Sequence, residues 1–141
     1  MNTELEKWNQ LLKHQNQIYH QYAKKINLTE PQFWILYALC ETKEPLFQNI
    51  FCENWTYNKQ TVSASVSSLE KSGLVTLSFA KGSRKKKQLH LTAKGEDFCN
   101  QYIRTLQHTE EKILGTLSQK EKDSFFNTLS LLLTGLENEL T

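Results

Sequence analysis

Apolar residues recur at alternating intervals of three and four from the first residues onward. Leu5, Trp8, Leu12, Gln15, Tyr19, Tyr22 and Ile26 trace one face of a helix over Thr3–Ile26, a heptad-like stripe with one polar member. Leu11 and Ile18 widen that face. So much apolar and aromatic surface on one long helix needs something large to lie against, and a partner subunit is the expected cover. The pattern then changes. Leu28-Thr-Glu-Pro-Gln-Phe33 is a helix start, with Thr29 as N-cap, Gln32 completing a capping box and Leu28 placed to staple onto Phe33. Phe33–Cys40 is apolar almost all round, which predicts a buried central helix.

A short helix over Phe47–Asn54 and a turn at Trp55-Thr-Tyr57 lead to a third helical segment, Asn58–Ser72, which Ser72-Gly73 ends. Two apolar strands follow, Leu74–Phe79 and Gln88–Thr92, joined by the loop Ala80–Lys87 in which Gly82 suits a turn. Thr92 is placed to cap a long helix reaching about Gly115. Ser118 and Glu121 make another capping box, and Phe125, Leu129, Leu132, Leu133, Leu136 and Leu140 form one stripe on a last helix. Two long helices at one end and one at the other exceed what a compact core between them requires. The surplus predicts a helical dimerisation layer.

The fold class is therefore mainly α with a small β-hairpin wing. It reads as a single domain over 1–141, with a winged helix-turn-helix at 28–92 and a helical dimerisation part from 1–27 and 93–141. Composition changes this picture little, because a net charge of +2 says nothing about partners. Charge distribution says more. Lys81, Arg84, Lys85, Lys86 and Lys87 lie within seven residues at the predicted hairpin tip, on a near-neutral chain. A concentrated positive site of that kind is what phosphate recognition needs.

The helix beside this tip completes the argument. With Val62 at zero on a helical wheel, Val66 and Leu69 fall within about 40° and mark the inward face. Gln60, Ser63, Ala64, Ser67 and Lys71 fall outside, the first four crowding the N-terminal half. Gln60 can pair bidentately with adenine, serines can donate or accept, and Ala64 can touch a thymine methyl. Asn58 or Thr56 is the expected cap, and the free N–H groups there favour a phosphate. Asn58, Lys59, Gln60, Thr61, Ser63, Ala64, Ser67, Lys81, Arg84, Lys85, Lys86 and Lys87 are thus the expected contacts to double-stranded DNA. The competing reading is a winged-helix protein-interaction module without sequence-specific DNA binding.

Several local motifs resemble the MarR family of winged helix-turn-helix transcriptional regulators. They are Leu28-Thr-Glu-Pro-Gln-Phe33, Lys59-Gln-Thr-Val62 with Ser68-Leu-Glu-Lys-Ser-Gly-Leu-Val75, and Leu89-His-Leu-Thr-Ala-Lys-Gly95. The resemblance implies a helical dimerisation region, a homodimer on a pseudo-palindromic operator, and often repression relieved by a small ligand or by oxidation. It also exposes a departure. Many members carry Asp-x-Arg at the wing, where this chain has Ser83-Arg84-Lys85. Lysine lacks the planar fork of arginine, so phosphate attraction is expected to come before base preference at the wing.

Regulatory chemistry is less sharply drawn. On the family pattern, Tyr19, Tyr22, Trp34 and Tyr37 are candidates to line a pocket for a small aromatic effector, against a simpler role as core and interface aromatics. Cys40, Cys52 and Cys99 are odd in number with no C-x-x-C, so no disulfide framework is expected. Cys40 and Cys99 read as small buried fillers, and Cys52 as the best placed for a redox role. His14, His20, His90 and His108 show no metal-ligand spacing, and His90 should point outward from its strand. No cofactor, metal or catalytic motif is present, so the chain reads as no enzyme. No signal-peptide core or membrane-length apolar run occurs, so a cytoplasmic protein off the membrane is expected.

Overall fold

The computed structural model describes every residue except Met1, Lys43 and Arg84. It divides into two compact units, Met1–Arg104 and Thr105–Thr141. In the first, α1 (Thr3–Lys25) starts at Asn2, whose side chain accepts from Glu4 N, and stops where Asn27 turns to φ 61°. α2 (Glu30–Thr42) follows from the predicted capping box: Thr29 N donates to Gln32 Oε1 at 3.0 Å and Gln32 N to Thr29 Oγ1 at 3.4 Å.

α2 explains its own all-round apolarity. It touches α1, the reading-helix segment, the last strand and the turn containing Cys99, so Phe33, Ile35, Leu36, Leu39 and Cys40 are all buried. β1 (Leu46–Phe47) and α3 (Ile50–Asn54) come next, then α4 (Lys59–Lys71), β2 (Val75–Phe79) and β3 (Lys87–Leu91). The strands form one antiparallel sheet in the order β1-β3-β2, with Leu46 opposite Leu89 and Val75 opposite Leu91. Leu89, Val75 and Leu74 enter the core with Phe51, Val62, Val66 and Leu69.

Two features depart from the sequence reading. Leu46-Phe47 is a strand, so the wing belongs to a three-stranded sheet and the short helix starts only at Ile50. Two residues are too few to display strand alternation, and their extended conformation is fixed by pairing with residues more than forty positions away. The second correction concerns the cysteines. Cys40 and Cys99 are not separate fillers but a disulfide across 59 residues, with Cα atoms 6.3 Å apart. Both are buried as predicted, yet nothing local in the sequence pairs a residue of α2 with one so distant.

Beyond β3, Thr92 accepts from Gly95 N at 2.9 Å and opens α5 (Ala93–Phe98), which runs through a π turn (Cys99–Ile103) into α6 (Arg104–Leu114). Gly95 is required here, because a Cβ on it would stand 1.9 Å from the carbonyl oxygen of Leu74. Cys99 and Ile103 are fully buried, which carries the first compact unit past residue 92 to Arg104.

The second unit holds the rest of α6 and α7 (Gln119–Leu140). Ser118 N donates to Glu121 Oε1 at 2.9 Å and Glu121 N to Ser118 Oγ at 3.1 Å, the predicted capping box. Hydrogen bonding to the carboxyl from Ser118, first its backbone N–H and then its side chain, holds the Glu121 pKa below its ordinary value. α7 has no buried residue at all, and Phe125, Leu132, Leu133 and Leu136 stand open along one stripe. Among the described residues no helix is long and apolar enough to cross a membrane.

Candidate nucleic-acid interface

α4 is set down on its apolar side. Val62, Val66 and Leu69 are at most 1% exposed, as the wheel predicts, and Ser65 joins them below. The Ser65 hydroxyl donates to Thr61 O at 2.7 Å, so a polar group sits in the core without an unmet hydrogen bond. Asn58 is the cap, its Oδ1 accepting from Thr61 N at 2.7 Å. Thr56 instead takes φ 55° in the preceding turn, unusual for a β-branched residue and a tight way of reversing the chain into α4. Trp55 stacks on Trp34 with ring centroids 4.8 Å apart, fixing that turn against α2.

What remains outward is small and polar. Gln60, Ser63, Ala64 and Ser67 are exposed, with Asn58 and Lys59 at the N-terminal end and Thr61 half-buried. The short side chains of Ser63, Ala64 and Ser67 let the backbone approach a groove floor, and the first turn presents free N–H groups.

The wing lies beside it. β2 and β3 stay in register out to Phe79 opposite Lys87, and Ala80 N donates to Lys86 O at 2.7 Å to close the hairpin. Gly82 takes φ 79°, the turn position expected of it. Ser83 Oγ accepts from the backbone N–H of Lys85 and of Lys86, each at 3.2 Å. Lys81, Lys85, Lys86 and Lys87 are exposed, and among the described residues none of them enters an ion pair. Lys87 stands in β3 rather than in the loop. Lys86 Nζ lies 5.5 Å from the Phe47 ring centroid, a cation–π contact that ties one cation back to β1. Arg84 lies outside the described residues.

Sequence reasoning missed what joins helix to wing. Gln48, just after β1, donates through its backbone to Lys87 O at 2.9 Å and through its side-chain amide to Ser63 Oγ at 3.4 Å. A cleft of about 590 Å³ opens there, with Lys59 and Ser63 on one wall and Lys85, Lys86 and Lys87 on the other. The predicted cations and one predicted helix residue thus converge on a single concavity. The missing signal was β1, whose pairing to β3 brings Gln48 under the wing.

The other candidate residues fall elsewhere. Tyr19, Tyr22, Trp34 and Tyr37 gather around the buried Phe33, with centroid distances to it of 6.3, 6.0, 4.8 and 6.0 Å. All four are half-buried, and the Tyr22 hydroxyl donates to Tyr102 O at 2.5 Å. Burial and then the neighbouring Tyr102 raise the Tyr22 pKa. Cys52 is a free, half-buried thiol on the cleft wall. His90 does face the outer side of the sheet, but its Nε2 is engaged with Ser78 Oγ at 2.6 Å rather than simply solvated.

Comparison with known proteins agrees with this architecture. Residues 26–86 match the sequence model of the MarR family. The MarR family regulator NMB1585 from Neisseria meningitidis superposes with a TM-score of 0.80 at 24% identity, over 99% of this chain and 97% of that one. MepR from Staphylococcus aureus in its DNA-binding conformation gives 0.78 at 20% identity, over 96% and 99%. A Listeria monocytogenes protein assigned to the MarR family and complexed with a 26mer DNA gives 0.74 at 22% identity, over 99% and 92%. No curated relative matches the sequence. With its helix-turn-helix, wing and flanking helices each in place, the chain has the fold of these MarR family structures, and residues 26–86 carry the sequence match to the family model.

Proposed function

We propose that the protein is a DNA-binding transcriptional regulator. α4 lies in the major groove, and residues 81–87 follow the neighbouring phosphates. The observation that carries this reading is the adjacency of an exposed small-residue helix face to four lysines without ion pairs among the described residues. Phosphates neutralise such a cluster and release counterions in doing so. The DNA complex of the Listeria protein supports the same use of the fold.

The protein acts as a homodimer on a pseudo-palindromic operator. Its two reading helices then meet successive major grooves about 34 Å apart. Repression is steric, by covering a promoter inside the cell. The aromatic group around Phe33 is the place for a small aromatic effector, which releases DNA by changing the separation of the reading helices.

A salt-titrated gel shift on the native upstream region, run beside random DNA, tests the reading. Binding should weaken with a log–log slope of about −0.9 per phosphate contacted. Changing Gln60 or Ser63 should alter preference at particular base pairs by about 1–3 kcal/mol. Weak, sequence-indifferent retention would reject operator recognition in favour of a protein-interaction role.

A further inference from the structure

The cleft between α3, the first turns of α4 and the base of the wing carries chemistry that a duplex does not use up. Its lining includes Lys59, Lys85, Lys86 and Lys87. Glu53 also lines it and accepts from Asn49 Nδ2 at 3.1 Å, so among the described residues four positive charges less one negative leave a net charge of three. Lysine is a point-charge partner for phosphoryl oxygens, and like charges held this close favour any anion that enters. Phosphoryl groups are the ligand chemistry, whether from a DNA backbone or from a free compound.

Gln48 separates those two sources. Its Oε1 is buried and, among the described residues, has no hydrogen-bond partner, while its amide nitrogen is committed to Ser63 Oγ. A buried acceptor left unmet is costly, so the fitting ligand brings a donor. The phosphodiester–deoxyribose backbone of DNA has no O–H or N–H along it. A free phosphorylated compound bearing hydroxyl or amino groups has both halves. The volume of about 590 Å³ is ample for a nucleotide-sized molecule.

We propose that this cleft binds a free phosphorylated small molecule with a hydroxyl or amino donor, its phosphates on the lysines and its donor on Gln48 Oε1. Because Lys59, Ser63 and the wing lysines are also the proposed DNA contacts, occupation competes with DNA. The competition rests on the DNA-binding reading; occupation of the cleft does not.

Cys52 supplies the reporter. It lines the cleft as a free thiol, while Cys40 and Cys99 are bonded to each other. The full-length protein, without DNA or magnesium, is alkylated with neutral iodoacetamide at constant ionic strength. The additions are adenosine triphosphate, tripolyphosphate or potassium chloride. Adenosine triphosphate should slow Cys52 alkylation saturably, and tripolyphosphate should do so about fivefold less tightly because it offers Gln48 no donor. Lys85→Gln with Lys87→Gln should abolish protection by both. Gln48→Leu should bring adenosine triphosphate down to the tripolyphosphate level, with thermal midpoints confirming that the variants fold.

An alkylation rate indistinguishable from the chloride control with both phosphates overturns the site. Equal affinity for the two overturns the role of Gln48. In a parallel gel shift, protection of Cys52 without displacement of operator DNA overturns the competition. Protection by a protein that fails to retain any DNA supports the cleft while rejecting the DNA-binding reading, so the two fail separately.

Discussion

α4 and α7 are both largely open to solvent, yet they are open in opposite ways. α4 buries its valines and leucine and shows Gln60, Ser63, Ala64 and Ser67. α7 buries nothing and shows Phe125 at 53% and Leu133 at 52% exposure. An exposed face of short polar groups loses little by staying wet, and it can exchange water for a hydrated polyanion. A face of exposed phenylalanine and leucine gains only when something apolar covers it, at roughly 25 cal/mol per Å². Exposure alone therefore says nothing about a partner; the chemistry of what is exposed does. On the proposed function, α4 meets nucleic acid and α7 another protein surface, which in a homodimer is a second copy.

Four experiments break or sharpen that contrast, in falling order of effect. Gly95→Ala undermines the α4 side alone, because the new methyl group meets the Leu74 carbonyl just beyond the end of that helix. Urea denaturation should record a loss of about 3 kcal/mol; a loss near zero would mean that the α4–β2 corner yields freely.

Leu132→Glu with Leu136→Glu strikes the other side. Both residues are exposed in the single chain, so its own fold should be little affected. Self-association measured by sedimentation should weaken about a hundredfold, as for central interface side chains. An unchanged association constant would remove α7 from the dimer contact.

Replacing Lys85, Lys86 and Lys87 together by Ala should lower affinity for all sequences alike. The salt dependence should flatten by about 2 to 3 log units per decade if each lysine meets one phosphate. A slope that does not move would mean these ammonium groups lie off the DNA. The smallest effect belongs to Asn58→Ala, which removes the α4 cap. It should cost about 1 kcal/mol in thermal or urea unfolding, and a neutral result would show that water replaces the cap.

The sequence made some of this legible and hid the rest for a physical reason. Capping boxes at Thr29–Gln32 and Ser118–Glu121, the cap at Asn58 and the inward trio Val62, Val66 and Leu69 are local signals, and the structure realises all of them. The lysines were visible as a run. Their meeting with Lys59 and Gln48 was not, because it depends on Leu46 pairing with Leu89. The Cys40–Cys99 bond is hidden in the same way, since it spans 59 residues and two elements whose packing no short window contains. What periodicity and capping dictate could be read in advance; what a long-range register dictates could not.

That covalent closure has a consequence for any protease attack on the chain. Residues 41–98 form the perimeter of a ring, and the exposed Lys81, Lys85 and Lys86 sit on it. A single tryptic nick at one of these lysines opens the ring without releasing either piece. The cut protein should migrate as one species on a non-reducing gel and part into two fragments once dithiothreitol is added.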